Sequence, residues 1–385
     1  MIVPVFEHMN REDCMGCESC AAICPHGAIQ MQEDACGFLY PTLIEDRCIH
    51  CGLCVRICPV INQKRISLPT ETVVGYARDE SIVRKSSSGG FFSLIAERFI
   101  ENGGIVIGVA WSEDFRKTLH ICVDNLLDLE KLRVSKYYQS HKGDIYQQML
   151  AHLAQKRPVL FTGCPCEVAA ACGMVPEKDR ERFFSIDIVC QGPSSAKALR
   201  GYIEWIEKKK KSSVCGINMR YAIGPWIPQN IKISFANGNQ YVKRLYDMEL
   251  GDAVRLMKRP SCPNCRFGGD GRKSDLTLGD YHGANPSASY YHESGVSIAV
   301  THSEKGRQLM ASVHHDNAYL EAADYQELNK WNPCLEKGWP SYEGSDTFSR
   351  VFPQKGLFAA SRAASSWKRR VLRKLPLKLR QLIRR

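Results

Sequence analysis

The feature that most constrains this chain is a cysteine ladder that occurs twice near its start. Cys14, Cys17, Cys20 and Cys24, the last followed by Pro25, spell C-x2-C-x2-C-x3-C-P. Cys48, Cys51, Cys54 and Cys58, followed by Pro59, spell it again, each cysteine 34 places after its counterpart. Single buried cysteines are common packing residues, but packing alone does not produce a duplicate in perfect register. A segment this short that commits eight thiols to one spacing folds around something those thiols hold.

The spacing is that of the bacterial ferredoxin run. Three thiolates on a tight loop face one 4Fe-4S cubane, and the fourth cysteine of each run ligates the other cluster. One cluster is therefore assigned to Cys14, Cys17, Cys20 and Cys58, and the second to Cys48, Cys51, Cys54 and Cys24. Zinc is the inorganic competitor, but structural zinc sites favour separated ligand pairs over a triplet plus one. Cys36 falls outside both runs.

The whole chain has 18 cysteines in 385 residues. Met1 to Asp13 lacks a basic segment followed by an apolar run, so no secretory signal is read there. The longest nearly apolar stretch, Pro158 to Val175, is interrupted by Glu167 and rich in small residues, a poor membrane span. A reducing cytoplasm is the expected location, where disulfides are disfavoured and a cysteine load points to metal, clusters or redox chemistry.

At 44% hydrophobic and 24% charged, the chain has an ordinary globular composition, and its length calls for two or three domains. The formal net charge is +11, but ten Lys/Arg and no acid fall between Ser361 and Arg385. The body is thus nearly neutral, which speaks against nucleic acid as a partner of the whole chain. In the tail, apolar Trp367, Val371, Leu372, Leu375, Leu379, Leu382 and Ile383 alternate with cations. That pattern suits a surface-seeking segment drawn to anionic lipid, or equally a solvated or partner-docking arm.

From Thr72 onward the patterns alternate between strand and helix. Strands are predicted over Val73–Arg78, Ile105–Trp111, Leu119–Val123, Val159–Thr162, Phe184–Val189, Asn230–Phe235, Gln240–Arg244, Leu276–Gly279 and Val296–Thr301. Helices are predicted over Phe91–Glu101, Ile145–Gln155, Ser194–Lys211 and Met248–Met257, with a helical turn from Glu167. The class is α+β: a dicluster ferredoxin fold over 1–62, then a larger α/β-type domain with a mixed sheet over 72–345. Ile61–Glu71 reads as a linker and 361–385 as a basic amphipathic tail.

Chemically notable residues fall where strands give way to helices, the usual ligand position in open α/β sheets. They are Gly163-Cys164-Pro165-Cys166, Cys190-Gln191-Gly192, and Cys262-Pro263-Asn264-Cys265 ahead of a strand. Cys166, Cys190, Cys262 and Cys265 make a possible four-thiolate site. Ser86 to Gly90 precede the helix at Phe91. Such a loop offers amides, hydroxyls and a favourable dipole to a phosphate, or simply caps a helix. His314, His315, Cys122, Cys172, Cys215 and Cys334 have no spacing that singles them out.

Taken in order, these segments resemble the coenzyme F-420 hydrogenase/dehydrogenase beta-subunit family in its bacterial form fused to a dicluster ferredoxin. The likeness runs from Cys14 to about His302. It rests on the double ladder with Gly37–Pro41 between its halves, SSSGGFF at 86–92, Thr162–Glu167, and DIVCQGP at 187–193. CPNCR at 262–266 and LTLGDYHG at 276–283 complete it. The resemblance implies a flavin, most often FAD, beside a third 4Fe-4S cluster. The family's cluster cysteines fall on Cys166, Cys190, Cys262 and Cys265, and its Ser-Ser-Gly-Gly stretch on Ser87, Ser88, Gly89 and Gly90, taken as flavin phosphate contacts. Cys164 stands where the family usually has threonine and Glu167 where it has glutamine, so Cys164 competes with Cys166 as ligand.

Two functions fit. One is a flavin-dependent iron–sulfur oxidoreductase that moves electrons between a ferredoxin-like donor, the clusters and an organic substrate. The other is an electron-transfer subunit of a larger redox complex with no substrate of its own. No His/Asp or Cys/His catalytic set stands out.

Overall fold

The computed structural model describes residues 4–63, 71–223, 226 and 229–367. In the head, helices α1 (Ser19–Ala22) and α2 (Leu53–Ile57) follow the two cysteine loops, and β1 (Ile29–Glu33) pairs antiparallel with β2 (Leu39–Leu43). Each short helix opens from a left-handed residue, Glu18 at φ 65° and Gly52 at φ 72°. That conformation turns the chain sharply enough for successive cysteines of a loop to face one point.

The body is built on β3 (Glu71–Ala77), β4 (Ile105–Trp111), β5 (Thr118–Val123), β6 (Ser140–His141), β7 (Val159–Gly163) and β8 (Phe183–Ile188). After these come β9 (Val214–Asn218), β10 (Asn230–Phe235), β11 (Gln240–Arg244), β12 (Leu276–Asp280), β13 (Ser297–Thr301) and β14 (Ala318–Ala322). Nine of them form one mixed sheet in the order β14-β3-β13-β12-β8-β7-β4-β5-β6, and β11-β10-β9 form a small antiparallel one. The centre of the large sheet, β12-β8-β7-β4, is parallel. Strands buried on both sides in this way read as continuous apolar runs, which is how Ile105–Trp111 and Val159–Gly163 look.

Among the described residues, ten further helices complete the body. They are α3 (Glu80–Arg84), α4 (Phe91–Glu101), α5 (Leu126–Leu129), α6 (Ile145–Ala154), α7 (Pro165–Met174), α8 (Ala196–Lys210), α9 (Glu249–Leu256), α10 (Glu304–Met310), α11 (Tyr325–Trp331) and α12 (Ser345–Ala364). Helix α4 lays Phe91, Leu94, Ile95 and Ile100 on one face of the sheet, while α6 and α7 cover the other with Met149, Leu153, Val168 and Ala171. Each such large apolar side chain contributes about 1.5–3 kcal/mol when removed from water. Helix α8 starts at Ser195, whose side chain accepts from Ala198 N, and ends on Lys208, Lys209 and Lys210. Those cations complement the helix dipole.

The periodicity places α4, β4, β10 and β11 at their observed limits and most others within two residues. The helical turn expected from Glu167 is the whole of α7, begun by Pro165 at a position where a missing N–H costs nothing. Strands β1, β2, β6, β9 and β14 have no counterpart among the expected elements. Helix α12 packs back on α8 and α9 and carries Ser361, whose hydroxyl donates to buried Asp252 Oδ2 at 2.6 Å. Residues 64–70 of the linker and 368–385 of the basic tail lie outside the described residues. Among the described residues, no helix is long and apolar enough to cross a membrane.

Candidate iron–sulfur and cofactor sites

The head and the body meet along a polar and apolar seam. Val5, Met15, Cys20, Ile29, Cys58 and Val60 of the head share a buried cluster with Ala169 and Phe267 of the body. Arg259, 1% exposed, reaches across it: its Nε donates to Cys14 O at 2.6 Å, Nη2 to Leu39 O at 2.7 Å and Nη1 to Gln139 Oε1 at 3.1 Å. Its guanidinium lies 4.1 Å from the Tyr40 ring centre, a favourable cation–π distance. Tyr146 OH donates to Cys17 O at 2.8 Å, and Ser261 Oγ to Cys14 O at 3.2 Å.

Within the head, Cys14, Cys17, Cys20 and Cys58 are gathered closely enough to perturb one another's charge. Three come from the first run and one from the second. Burial pushes the Cys17 thiol up to about 11, with Cys14 and Cys58 adding to the rise. Such thiols stay protonated unless a metal displaces the proton. Cys24, Cys48, Cys51 and Cys54 line one cavity with His26, Arg47 and His50. This set is the outer one: Cys51 is exposed, and neighbouring Ile49 is 61% exposed.

The third set forms where β7 and β8 end. Cys164 opens α7 and Cys166 lies in its first turn. Glu167 closes a capping box by accepting from Cys164 N at 2.8 Å, an arrangement that fixes the loop. Cys166 has Cys265, Cys190 and Cys262 within electrostatic reach. Gly192, at φ 89°, lets the chain turn beside Cys262; a Cβ there would meet Cys262 Sγ at 2.9 Å. The structure brings Cys164 into the same group, its sulfur 3.6 Å from that of Cys190. It also brings in Cys334, which is buried and acts on Cys190 and Cys265. Cys334 has no spacing to reveal it; it arrives by tertiary folding alone.

The chemistry of this donor set fits a cluster. Lys258 Nζ donates to Gly192 O at 2.8 Å, and the charges that face it are the sulfurs of Cys262, Cys190, Cys334 and Cys164. Burial draws the Lys258 pKa down, whereas those sulfurs, as thiolates, support its charge. Among the described residues, no three His, Cys, Asp or Glu side chains are drawn together to hold one metal ion.

The loop expected to hold a flavin phosphate is tied into the protein. Ser86 Oγ donates to Ile82 O at 2.7 Å and Ser88 Oγ to Val296 O at 2.6 Å, while Ser87 Oγ accepts from Ser135 N at 2.7 Å. A Cβ on Gly89 would meet Gly75 O at 2.3 Å. Gly90 then begins α4 with no side-chain cap. The three serine hydroxyls are thus engaged with protein partners, and Gly89, Gly90 and Phe91 at the start of α4 are buried. Next to this loop Arg220 Nη2 donates to Ser87 O at 2.6 Å, and Nη1 donates to Tyr137 OH at 3.1 Å and pairs with Asp280 Oδ2 at 2.9 Å. Trp226 lies over Arg220 and stacks on His282, ring centres 5.5 Å apart. This polar and aromatic group adjoins the end of β12.

A two-stranded head that carries the eight ladder cysteines is thus docked on a mixed α/β body that gathers a further thiol group. Residues 13–62 match the 4Fe-4S dicluster domain, and residues 156–327 match the C terminus of the beta subunit of coenzyme F420 hydrogenase/dehydrogenase. A solved chain of the F420-reducing NiFe hydrogenase complex from Methanosarcina barkeri is 17% identical, with 71% of this chain and 90% of that one covered at a TM-score of 0.49. No curated protein matches significantly.

Proposed function

We propose that the chain is an iron–sulfur flavoprotein oxidoreductase in which electrons enter or leave at the outer thiolate set and pass inward to a flavin. The observation that carries this reading is a run of three neighbouring cysteine groups, the outermost of which holds the exposed Cys51. The first set adjoins the second through Cys58 and Cys54, and adjoins the third across Tyr146, which faces both Cys17 and Cys166. Cys14, Cys17, Cys20 and Cys58 would hold one cluster, Cys24, Cys48, Cys51 and Cys54 another, and Cys166, Cys190, Cys262 and Cys265 a third. A bound flavin supplies the exchange between two-electron and one-electron chemistry. For this group the backbone amides at Gly89 and Gly90, just before α4, would bind phosphate, with Arg220, Trp226 and His282 orienting the ring system.

Anaerobic purification followed by iron, sulfide and flavin analysis tests it. About twelve irons and one flavin per chain are expected for three cubanes. About eight irons would remove the third cluster, and absence of flavin after reconstitution would remove the flavoprotein reading. The second reading, an electron-transfer subunit without its own substrate, is favoured by the exposed Cys51 and by the matching family, which is itself named for a subunit. Inertness toward hydride donors with all clusters loaded would establish it. We assign the basic segment 368–385 to an anionic surface; its deletion should lower binding to anionic vesicles without loss of iron, and unchanged binding refutes the assignment.

A further inference from the structure

Between the first and third thiolate sets lies a buried charge pair that the cysteine arrangement alone does not require. Lys142 Nζ meets Glu167 Oε1 at 2.5 Å, both side chains being nearly inaccessible. The backbone N–H of Lys142 donates to Glu18 Oε1 at 3.0 Å, in the loop between Cys17 and Cys20. The other oxygen of Glu167 accepts from Cys164 N at 2.8 Å. The residue just after β6 thus ties the ligand loop of the first set to that of the third.

We propose that the Glu167–Lys142 pair sets the relative reduction potentials of the two inner clusters by fixed charge. The inference rests on the cluster-binding reading above. A positive charge beside a cluster favours the reduced state, which carries one more negative charge, and raises its potential; a negative charge lowers it. In a buried site the effect is little screened. The two charged groups face one another at 2.5 Å in a buried site, each the counter-ion of the other. The pair forms no bond to a cluster and moves no proton; it supplies a local field with opposite ends. Glu167 follows Cys166 directly in the chain and accepts from Cys164 N at 2.8 Å through one oxygen, with the Lys142 ammonium on the other.

The test is an EPR-monitored potentiometric titration of the reconstituted full-length chain at neutral pH. Glu167→Gln removes the negative end and is expected to raise the potential of one or both inner clusters. Lys142→Met is expected to lower it. The outer cluster of Cys24, Cys48, Cys51 and Cys54 should be unmoved in both, and serves as an internal reference. Because Lys142→Met leaves a buried carboxylate without its partner, the double variant Lys142→Met/Glu167→Gln is included, with potentials expected close to those of the parent. Full iron content with inner potentials unchanged in Glu167→Gln, or shifted equally with the outer one, overturns the inference. Failure of the parent itself to bind three clusters overturns the functional reading instead.

Discussion

At the scale of single residues, the fold holds several titratable groups in unusual states. His302 is buried, its Nε2 lying 2.8 Å from Thr277 Oγ1, and burial lowers its pKa to about 4. His120, which lies 2.6 Å from Ser140 Oγ through Nδ1, is lowered to about 4 by burial as well. A neutral buried histidine takes up its proton more readily when unfolded, so between these values and the ordinary 6.5 the unfolded chain binds more protons. Stability is therefore whole above about pH 6.5 and lost as pH falls toward 4, by about 3 kcal/mol per histidine. Urea midpoints measured across that range should fall, and His302→Gln should flatten the slope. A parent midpoint independent of pH would contradict this account.

At the scale of elements, the edge of the large sheet depends on one close approach. Strand β14 pairs with β3 from Ala318 opposite Ala77 to Ala322 opposite Val73. A Cβ on Gly75 would stand 1.8 Å from Tyr319 O. Gly75→Val should therefore separate β14 from β3, destabilise by about 1–3 kcal/mol, and speed amide exchange over 318–322. Protection there equal to that of the parent would mean that the edge adapts. What is legible in the sequence follows from how each element is specified. Helix α4 and strands β4 and β7 carry their own periodicity, and the ladder carries its own spacing. Strand β14 has only Ala318 fully buried, so its alternation is too weak to read. Lys142, Lys258, Arg259 and Cys334 have no local pattern at all, because their partners lie on other elements. Cys164 is visible as a departure from the resemblance, and the structure gives it a neighbour, Cys190, that spacing could not.

At the scale of the whole molecule, the head is not a tethered accessory. Arg259 donates to the carbonyls of Cys14 and Leu39 and to the amide oxygen of Gln139, and Arg200 pairs with Glu33 at 2.5 Å along the same seam. Removing the guanidinium takes three hydrogen bonds from a buried seam, and a buried acceptor left unsatisfied costs about 1–3 kcal/mol. Arg259→Met should lower the thermal midpoint and make the stretch between head and body a preferred site of limited proteolysis. Arg259→Lys should rescue little, since an ammonium cannot reproduce the three-way fork. A variant as resistant as the parent would show that the apolar part of the seam suffices.

The origin of the ligands along the chain has a consequence for synthesis. The two head sets are complete once Cys58 has emerged from the ribosome, whereas the third awaits Cys265, and Arg259 becomes available only shortly before it. During that interval the head has every ligand it needs but no partner to cover Cys14, Cys20 and Cys58. Iron delivery to a nascent or newly released chain would then be ordered, the two head sites first and the third site last, because long-range closure is slow relative to local folding.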